Sequence, residues 1–179
     1  IPDSAFIFIY LGRFTKDKGI LDLINAHTQI SDKNIYLLIV GPNEQGFKEK
    51  ILSLINFDTS KIRLIDLTDK PEAYLAASNV LCLPSHREGF GNVIIEAAAM
   101  GIPAIASDIY GISDAIINKE TGILHQPKNQ DDITNCMKLF LNNREKVKQY
   151  GLAAKSRVLL EFNSEILTDH WLRFYKLHI

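Results

Sequence analysis

The fold of this chain is decided by residues 79–106, which read NVLCLPSHREGFGNVIIEAAAMGIPAIA. Residues 79–83 form a short apolar run with the composition of a buried strand, and residues 92–100 have a helical pattern. A second apolar run begins at residue 103, after the Gly101-Ile102 turn. A strand, a helix and another strand in this order predict a parallel β-α-β unit.

The same alternation extends in both directions from this stretch. Four more apolar runs have strand composition, at residues 5–11, 34–40, 61–65 and 122–124. Helical patterns follow them or lie between them, at residues 19–30, 46–55, 71–77, 112–117 and 131–141. From Asn143 onward the pattern is helical, with a break predicted at Gly151 and a new helix capped at Asn163 and Ser164.

The apolar runs are continuous rather than alternating, so both faces of the sheet should be covered by helices. We therefore predict a single domain over residues 1–179, with a doubly wound, parallel, six-stranded Rossmann-like α/β sheet and C-terminal helices. In such a sheet, ligands bind at the carboxyl ends of the strands.

Composition excludes several classes of function. A chain of 179 residues that is 46% hydrophobic can bury one sizeable core, and a formal charge of -1 provides no broad cationic surface for nucleic acid or an anionic membrane. Cys82 and Cys136 lie far apart in apolar stretches, which is typical of a cytoplasmic protein without disulfides or structural zinc. Because the chain starts at Ile1 without a methionine, we expect a fragment of a longer protein.

The loop after the first strand, residues 12–19, contains Arg13, Lys16 and Lys18 immediately before a helix. The Arg13 guanidinium can hold two phosphate oxygens at once, and Lys18 can supply a second positive charge. Gly12 would let the backbone approach a ligand closely. A solvated loop would have the same composition, so this segment alone leaves both interpretations open.

The loop after the fourth strand is more informative. Gly89 and Gly91 remove side chains from the turn, so the unpaired N–H groups of the next helix could face a phosphate or sugar oxygen. That helix is apolar except at Glu96, so we predict that it is buried and that Glu96 has either a ligand or a buried Arg or Lys as its partner. Glu88 would lie at the mouth of the crevice, unless it is an ordinary exposed loop carboxylate.

At these residues the chain resembles the C-terminal domain of the family 4 retaining glycosyltransferases, which have the GT-B architecture of two facing Rossmann-like domains. The resemblance extends through nearly the whole chain. Its most specific feature is the pair Glu88 and Glu96 with seven residues between them. The matching motifs are Gly12-Arg13, Lys18-Gly19, Val40-Gly41, Pro84-Ser85, Glu88-Gly89-Phe90-Gly91, Glu96-Ala97, Gly101-Ile102-Pro103, Thr121-Gly122 and Leu124.

The resemblance implies a role for each matching residue. Arg13 and Lys18 would neutralise the diphosphate of a nucleotide-sugar donor, Glu88 would bind sugar hydroxyls, and these three form the predicted catalytic set. Glu96 would accept hydrogen bonds from the ribose hydroxyls. The predicted donor-binding set is Gly12, Arg13, Lys18, Glu88, Gly89, Phe90, Gly91, Asn92, Val93 and Glu96.

The resemblance also implies the reaction and its partners. We expect a UDP- or GDP-linked sugar as the substrate, no cofactor and no nucleic acid. We also expect no metal, in agreement with the absence of a D-x-D triplet from the chain. The acceptor, a glycan or a lipid-linked sugar, would be held by an N-terminal domain of the same protein. That domain could also attach the enzyme peripherally to the inner face of the membrane, so the expected location is the cytoplasm or that face.

Some positions differ from the family pattern, and other functions remain open. Residues 110–114 lack the usual glycine pair, residues 65–67 lack a glycine where the base is commonly contacted, and Asn163 replaces a common tryptophan, which we assign to helix capping.

A nicotinamide dehydrogenase is disfavoured because the glycine motif follows the fourth strand, and residues 41–46 are a poor P-loop. A nucleotide-sugar-binding module without transferase activity is the main alternative, ahead of an epimerase or phosphorylase. His86 is interpreted as a loop histidine without a chemical role.

Overall fold

The computed structural model describes residues 1–32, 34–44, 46–54 and 60–178. Its strands are β1 (Phe6–Leu11), β2 (Ile35–Val40), β3 (Ile62–Ile65), β4 (Val80–Leu83), β5 (Ala104–Ser107) and β6 (Gly122–His125). Its α-helices are α1 (Ile20–Thr28), α2 (Phe47–Leu54), α3 (Pro71–Ala76), α4 (Asn92–Ala99), α5 (Gln130–Leu141), α6 (Arg144–Glu161) and α7 (Ser164–His178). A short 3₁₀ helix at Lys16–Lys18 precedes α1.

The strands form a single parallel sheet in the order β3-β2-β1-β4-β5-β6. This confirms the doubly wound fold predicted from the alternation of apolar runs and helical patterns. The chain runs outward from β1 to β3 and then returns to β4, which lies on the other side of β1. The loops after β1 and β4 therefore diverge at the centre of the sheet and leave a crevice between them.

The core lies on both faces of the sheet. All six side chains of β2 are buried, as expected for a strand covered by helices on both sides. Helix α1 packs against α5, and α4 packs against α6. Because parallel crossovers are right-handed and the chain reverses direction at β4, α1 and α4 lie on opposite faces.

Local capping sets the start of the C-terminal helices. The Asn129 side chain accepts from Asp132 N–H at 3.1 Å at the start of α5, and Asn143 accepts from Lys146 N–H at 3.0 Å at the start of α6. Asn163 Oδ1 accepts from Glu165 N–H at 2.8 Å at the start of α7. The predicted capping role of Asn163 is therefore confirmed.

The prediction of a helix at residues 112–117 is wrong, because this segment forms turns. Gly111 lies in the left-handed region at φ +89°, and a Cβ there would lie 2.2 Å from the Gly89 carbonyl oxygen. The segment is thus held against the loop after β4 by backbone packing. Helical periodicity over so few residues could not reveal that long-range contact.

The predicted break at Gly151 is also wrong, because α6 continues through it. Gly151 is buried, and a Cβ there would lie 2.0 Å from the Gly101 carbonyl oxygen. The glycine therefore allows α6 to approach the turn after α4 closely and does not end the helix. Most other predicted boundaries differ by one or two residues, and Ile55 and Ile179, the last residues of two predicted helices, lie outside the described residues.

Candidate functional site

The carboxyl ends of β1 and β4 lie side by side, and the segments that follow them enclose a cavity of about 570 Å³. A crevice at a reversal of strand order is where sheets of this type bind ligands. All of the predicted site residues except Glu96 line this cavity. Its lining consists of Tyr10, Leu11, Gly12, Arg13, Lys18, Leu83, Glu88, Gly89, Phe90, Gly91, Asn92 and Val93.

The loop after β1 is fixed to the end of β2 by backbone hydrogen bonds. Gly12 N–H donates to the Val40 carbonyl at 3.0 Å, and Phe14 N–H donates to the Pro42 carbonyl at 2.8 Å. The Phe14 side chain is fully buried. These contacts set the path of the loop, so its charged side chains start from a defined backbone.

Arg13 combines a fixed backbone with an exposed side chain. The Tyr10 hydroxyl donates to the Arg13 carbonyl at 2.8 Å, and burial, with Glu88 nearby, raises the pKa of Tyr10, so this donor stays protonated. The Arg13 side chain is 57% exposed, and its Nη1 lies 3.2 Å from Oε2 of Glu44. An exposed ion pair of this kind is weak, so Arg13 can exchange Glu44 for another anion.

Lys18 and Glu88 form an ion pair inside the cavity. Lys18 Nζ donates to Oε2 of Glu88, and the two side chains are only 12% and 16% exposed. The pair joins the loop after β1 to the loop after β4. Each group has a strong charge at the cavity wall and could take a polar ligand group in place of its partner.

The first turn of α4 closes one end of the cavity. Gly91 lies in the left-handed region at φ +72°, directly before the helix, and as the N-cap residue it has no side chain that could bond to the first N–H groups. Asn92 and Val93, the first two helical residues, line the cavity. The partial positive charge of the helix start therefore adds to the charges of Arg13 and Lys18 and favours an anion.

The prediction that Glu96 is buried is wrong, because its side chain is exposed on the outer face of α4. Asn92, Glu96 and Ala99, spaced four and three residues apart, form this exposed face, whereas Ile94, Ala97 and Ala98 are buried. A stretch rich in alanine can face either solvent or core, so composition misled the prediction. Among the residues that the structure describes, Glu96 has no hydrogen bond or ion pair.

Comparison with known proteins identifies the family. Residues 1–157 match the family described as Glycosyl transferases group 1. The chain belongs to this family. It is 30% identical to the capsular polysaccharide biosynthesis glycosyltransferase CapM of Staphylococcus aureus over 171 residues, which is 93% of this chain and 45% of CapM. The chain thus spans about half the length of this relative.

Solved structures share the fold of this chain. Sucrose-phosphate synthase from Thermosynechococcus elongatus superposes with a TM-score of 0.87 at 28% identity, over 99% of this chain and 46% of that one. Anabaena HepE in complex with UDP-glucose superposes with a TM-score of 0.85 at 20% identity, over 97% of this chain and 49% of that one. The resemblance to GT-B glycosyltransferases stated from the motifs is confirmed at the level of family and fold.

Further contacts join the segments that follow β1 and β4 in this group 1 domain. His86 N–H donates to the Asp17 carbonyl at 2.7 Å, and His86 Nε2 lies 2.8 Å from Oδ2 of Asp22. Gly19, at φ +66°, packs directly on the Pro84 carbonyl. His86 therefore connects the loops, a structural role that its sequence context did not reveal.

Two polar residues that bond to Arg13 were not predicted from the sequence. Tyr10 lines the cavity and bonds to the Arg13 backbone, and Glu44 pairs with the Arg13 side chain. A hydroxyl near the end of the otherwise apolar β1 was a usable signal for Tyr10. Glu44 lies in the turn after β2, at the same edge of the sheet, and that placement was a weaker signal.

Two other cavities lie away from these charged groups. One, of about 890 Å³, is lined mainly by apolar side chains beside α2 and α3, and, of its polar residues, Lys48 donates to Asp66 and Asn79 accepts from Ile7 N–H. The other is an open depression of about 700 Å³ formed by residues 65–69 and Tyr74 at the end of β3. The depression at residues 65–69 lies at the same edge of the sheet as the cavity at the ends of β1 and β4.

The described residues contain neither a cluster of metal ligands nor a helix able to span a membrane. No cluster of three or more His, Cys, Asp and Glu side chains there could hold a metal ion. In the same ranges, every helix is too short or too polar to cross a bilayer.

Proposed function

We propose that this chain is the donor-binding domain of a glycosyltransferase that transfers a sugar from a nucleoside diphosphate with retention of configuration and without a metal ion. The acceptor would be held by an N-terminal domain of the same protein. The observation that supports this most strongly is the cavity at the end of β1 and β4, where Arg13, Lys18, Glu88 and the start of α4 meet. The group 1 family membership supports the same class of reaction.

The diphosphate is assigned to the cationic side of the cavity. Arg13 can hold phosphate oxygens through its planar fork, and Lys18 supplies a point charge on the same loop. Both cations contact a carboxylate in the structure, Glu44 and Glu88 respectively, so the diphosphate would replace these partners. As the bond to the sugar breaks, negative charge grows on the leaving diphosphate, and the same cations stabilise it.

The sugar is assigned to Glu88 and the glycine turn. Once Lys18 moves to the phosphate, the Glu88 carboxylate is free to accept hydrogen bonds from sugar hydroxyls. The backbone at Gly89, Phe90 and Gly91 forms the adjoining wall, where a Cβ on Gly89 would meet no atom within 4 Å. This open wall gives a sugar ring close access to the backbone.

The nucleoside is assigned to the outer part of the crevice. The open depression at residues 65–69 could accept a base, and Leu67, 75% exposed, offers it an apolar surface. UDP is the first candidate, because the Anabaena neighbour of the same fold binds UDP-glucose. A glycan or lipid-linked acceptor is proposed from the capsular polysaccharide role of CapM.

Glu96 is proposed to bind the ribose. It lies four residues after Asn92 on the same face of α4, about 6 Å further along the helix axis. A diphosphate at the helix start would place the ribose next to that face. Glu96 needs no rearrangement to serve as an acceptor, since it is exposed and has no partner among the described residues.

We expect Glu96→Gln to weaken UDP binding about tenfold, because a hydrogen bond from a hydroxyl to a charged acceptor contributes more than one to a neutral amide. The mutation should affect 2′-deoxy-UDP less, so the preference for UDP over 2′-deoxy-UDP should shrink. Isothermal titration calorimetry with both ligands measures this. Glu145→Gln on α6 is the matched control, since Glu145 is an exposed helical glutamate. Its neighbour Arg144 packs on Phe6 at the start of β1, at the sheet edge opposite the cavity. An unchanged ribose preference would remove Glu96 from the site.

The proposed function is tested by titrating the chain with UDP, GDP and ADP, with and without EDTA. We expect one nucleoside diphosphate to bind more tightly than the others, and EDTA to have no effect. The described domain on its own should transfer no sugar, since the proposed reaction needs an acceptor-binding domain that faces it. Folded protein that binds none of the three would contradict the proposal, and binding abolished by EDTA would contradict its metal-independent part.

A further inference from the structure

The end of α6 touches the wall of the cavity from outside. The Phe162 ring, directly after α6, lies 5.8 Å from the Phe90 ring, centroid to centroid, at an interplanar angle of 53°. Phe90 belongs to the glycine turn that lines the cavity, whereas Phe162 is not among the lining residues. A residue 72 positions away in the chain thus supports the back of this turn.

Arg157, one turn earlier on α6, extends the contact to a second loop. Its guanidinium lies 5.2 Å from the Phe162 ring centroid, and its Nη2 donates to the Asp114 carbonyl at 2.8 Å. Its Nε donates to Glu161 at 2.8 Å, which holds the side chain along the helix. The last turns of α6 therefore contact both the glycine turn and the loop after β5.

These two loops are themselves in contact. Gly111 packs on the Gly89 carbonyl so closely that a Cβ there would lie 2.2 Å from the oxygen. Helix α6 is fixed in turn against α4 by the small side chains of Ala98 and Ala154, together with Val158. The glycine turn is therefore enclosed between α4, the loop after β5 and the end of α6.

We infer that Phe162 and Arg157 are positioning residues for the donor sugar, acting through Phe90 and the loop after β5. The inference rests on the proposed function, because the glycine turn is the proposed sugar wall. Glycines at 89 and 91 make that turn intrinsically flexible, so an external support is needed to hold it in one conformation. The proposed diphosphate site consists mainly of side chains on the loop after β1, so binding of the diphosphate should depend less on the contact between Phe162 and Phe90.

The test compares Phe162→Ala with two other variants. Leu160→Ala is the matched control, since Leu160 lies in the last turn of α6, two residues before Phe162, and is 71% exposed. Phe162→Tyr keeps the ring and should restore wild-type behaviour. Circular dichroism establishes that each variant is folded. If Phe162→Ala is not folded, Phe162→Leu, which removes the ring but keeps a large apolar side chain, takes its place in both readouts with the same expected results.

Two measurements distinguish the effect of Phe162 on the conformation of the glycine turn from its effect on sugar binding. Amide hydrogen exchange without ligand should become faster in the peptide containing residues 84–92 in Phe162→Ala and stay unchanged in Leu160→Ala and Phe162→Tyr. Calorimetry should show a loss of UDP-glucose affinity of about five- to tenfold, with UDP affinity changed less than about twofold, as expected for one lost aromatic contact.

Unchanged exchange in Phe162→Ala, or equal losses for UDP and UDP-glucose, would overturn the inference. If wild-type protein binds neither ligand, the proposed function fails and the role in sugar binding fails with it. In that case faster exchange at residues 84–92 would still show that Phe162 supports the turn. Failure of the support and failure of the function therefore give different results.

Discussion

Lys18→Ala is expected to weaken UDP binding roughly 10- to 100-fold, the range expected when a charged hydrogen bond of about 1.5–3 kcal/mol is lost. Lys18 is the largely buried cation of the cavity, and its charge-assisted contact is little screened by water. The mutation also leaves Glu88 without a cation, so a carboxylate repels the incoming diphosphate. Arg13→Ala should act in the same direction but less strongly, because its side chain is 57% exposed. Uridine, which has no phosphate, should lose less than about twofold in affinity.

Calorimetric titration of each variant with UDP and with uridine measures this difference. Lys16→Ala is the matched control, since Lys16 is an exposed lysine of the same loop and does not line the cavity. Its effect on UDP affinity should be small and should vanish at high salt. If Lys18→Ala and Lys16→Ala reduce the affinity for UDP equally, the effect comes from the net charge of the loop and not from a contact with the diphosphate.

Gly19→Ala is expected to destabilise the domain by at least about 3 kcal/mol. Gly19 has φ +66°, which an L side chain rarely adopts, and an added Cβ would lie 2.1 Å from the Pro84 carbonyl oxygen. Because that oxygen belongs to the backbone of the loop after β4, one of the two loops must move. The separation of the loops would also disturb the Lys18–Glu88 pair and with it the cavity.

Thermal and urea unfolding of Gly19→Ala measure the loss, for which we expect Tm to fall by roughly 6 to 12 °C. Gly89→Ala is the matched control, because a Cβ there meets no atom within 4 Å. Its stability should stay within about 0.5 kcal/mol of wild type. A Gly19→Ala protein as stable as Gly89→Ala would show that the two loops do not pack as described.

The architecture was predictable because its signals are local. Each strand is a short, continuous apolar run, and the alternation with helical patterns is sufficient to predict a parallel sheet with both faces covered. The position of the site followed from the fold, since ligands of doubly wound sheets bind at the carboxyl ends of the strands. The strand order that makes β1 and β4 neighbours agrees with that expectation.

The errors came from contacts between distant parts of the chain. Gly151 has the composition of a helix break, but its closeness to the Gly101 carbonyl explains the glycine. Residues 112–117 have a helical pattern, but Gly111 holds them against the loop after β4. Glu96 was misplaced because the alanines around it give no clear apolar face.

The ion pairs were also beyond sequence reasoning. Glu88 was expected to bind a sugar and Lys18 a phosphate, and the structure pairs them with each other. Such pairing depends on the distance between two loops that are 70 residues apart, and no local pattern encodes that distance. In the proposed function it adds a step that the sequence did not suggest, since a bound diphosphate would have to displace Glu88 from Lys18.

The most direct test is a crystal structure of the chain with bound UDP. We predict that the diphosphate lies at the start of α4, with phosphate oxygens about 3 Å from Lys18 Nζ and from the Arg13 guanidinium, and with Glu88 separated from Lys18. UDP bound elsewhere, with the Lys18–Glu88 pair intact and Arg13 still on Glu44, would contradict the assignment of this cavity to a nucleotide-sugar donor.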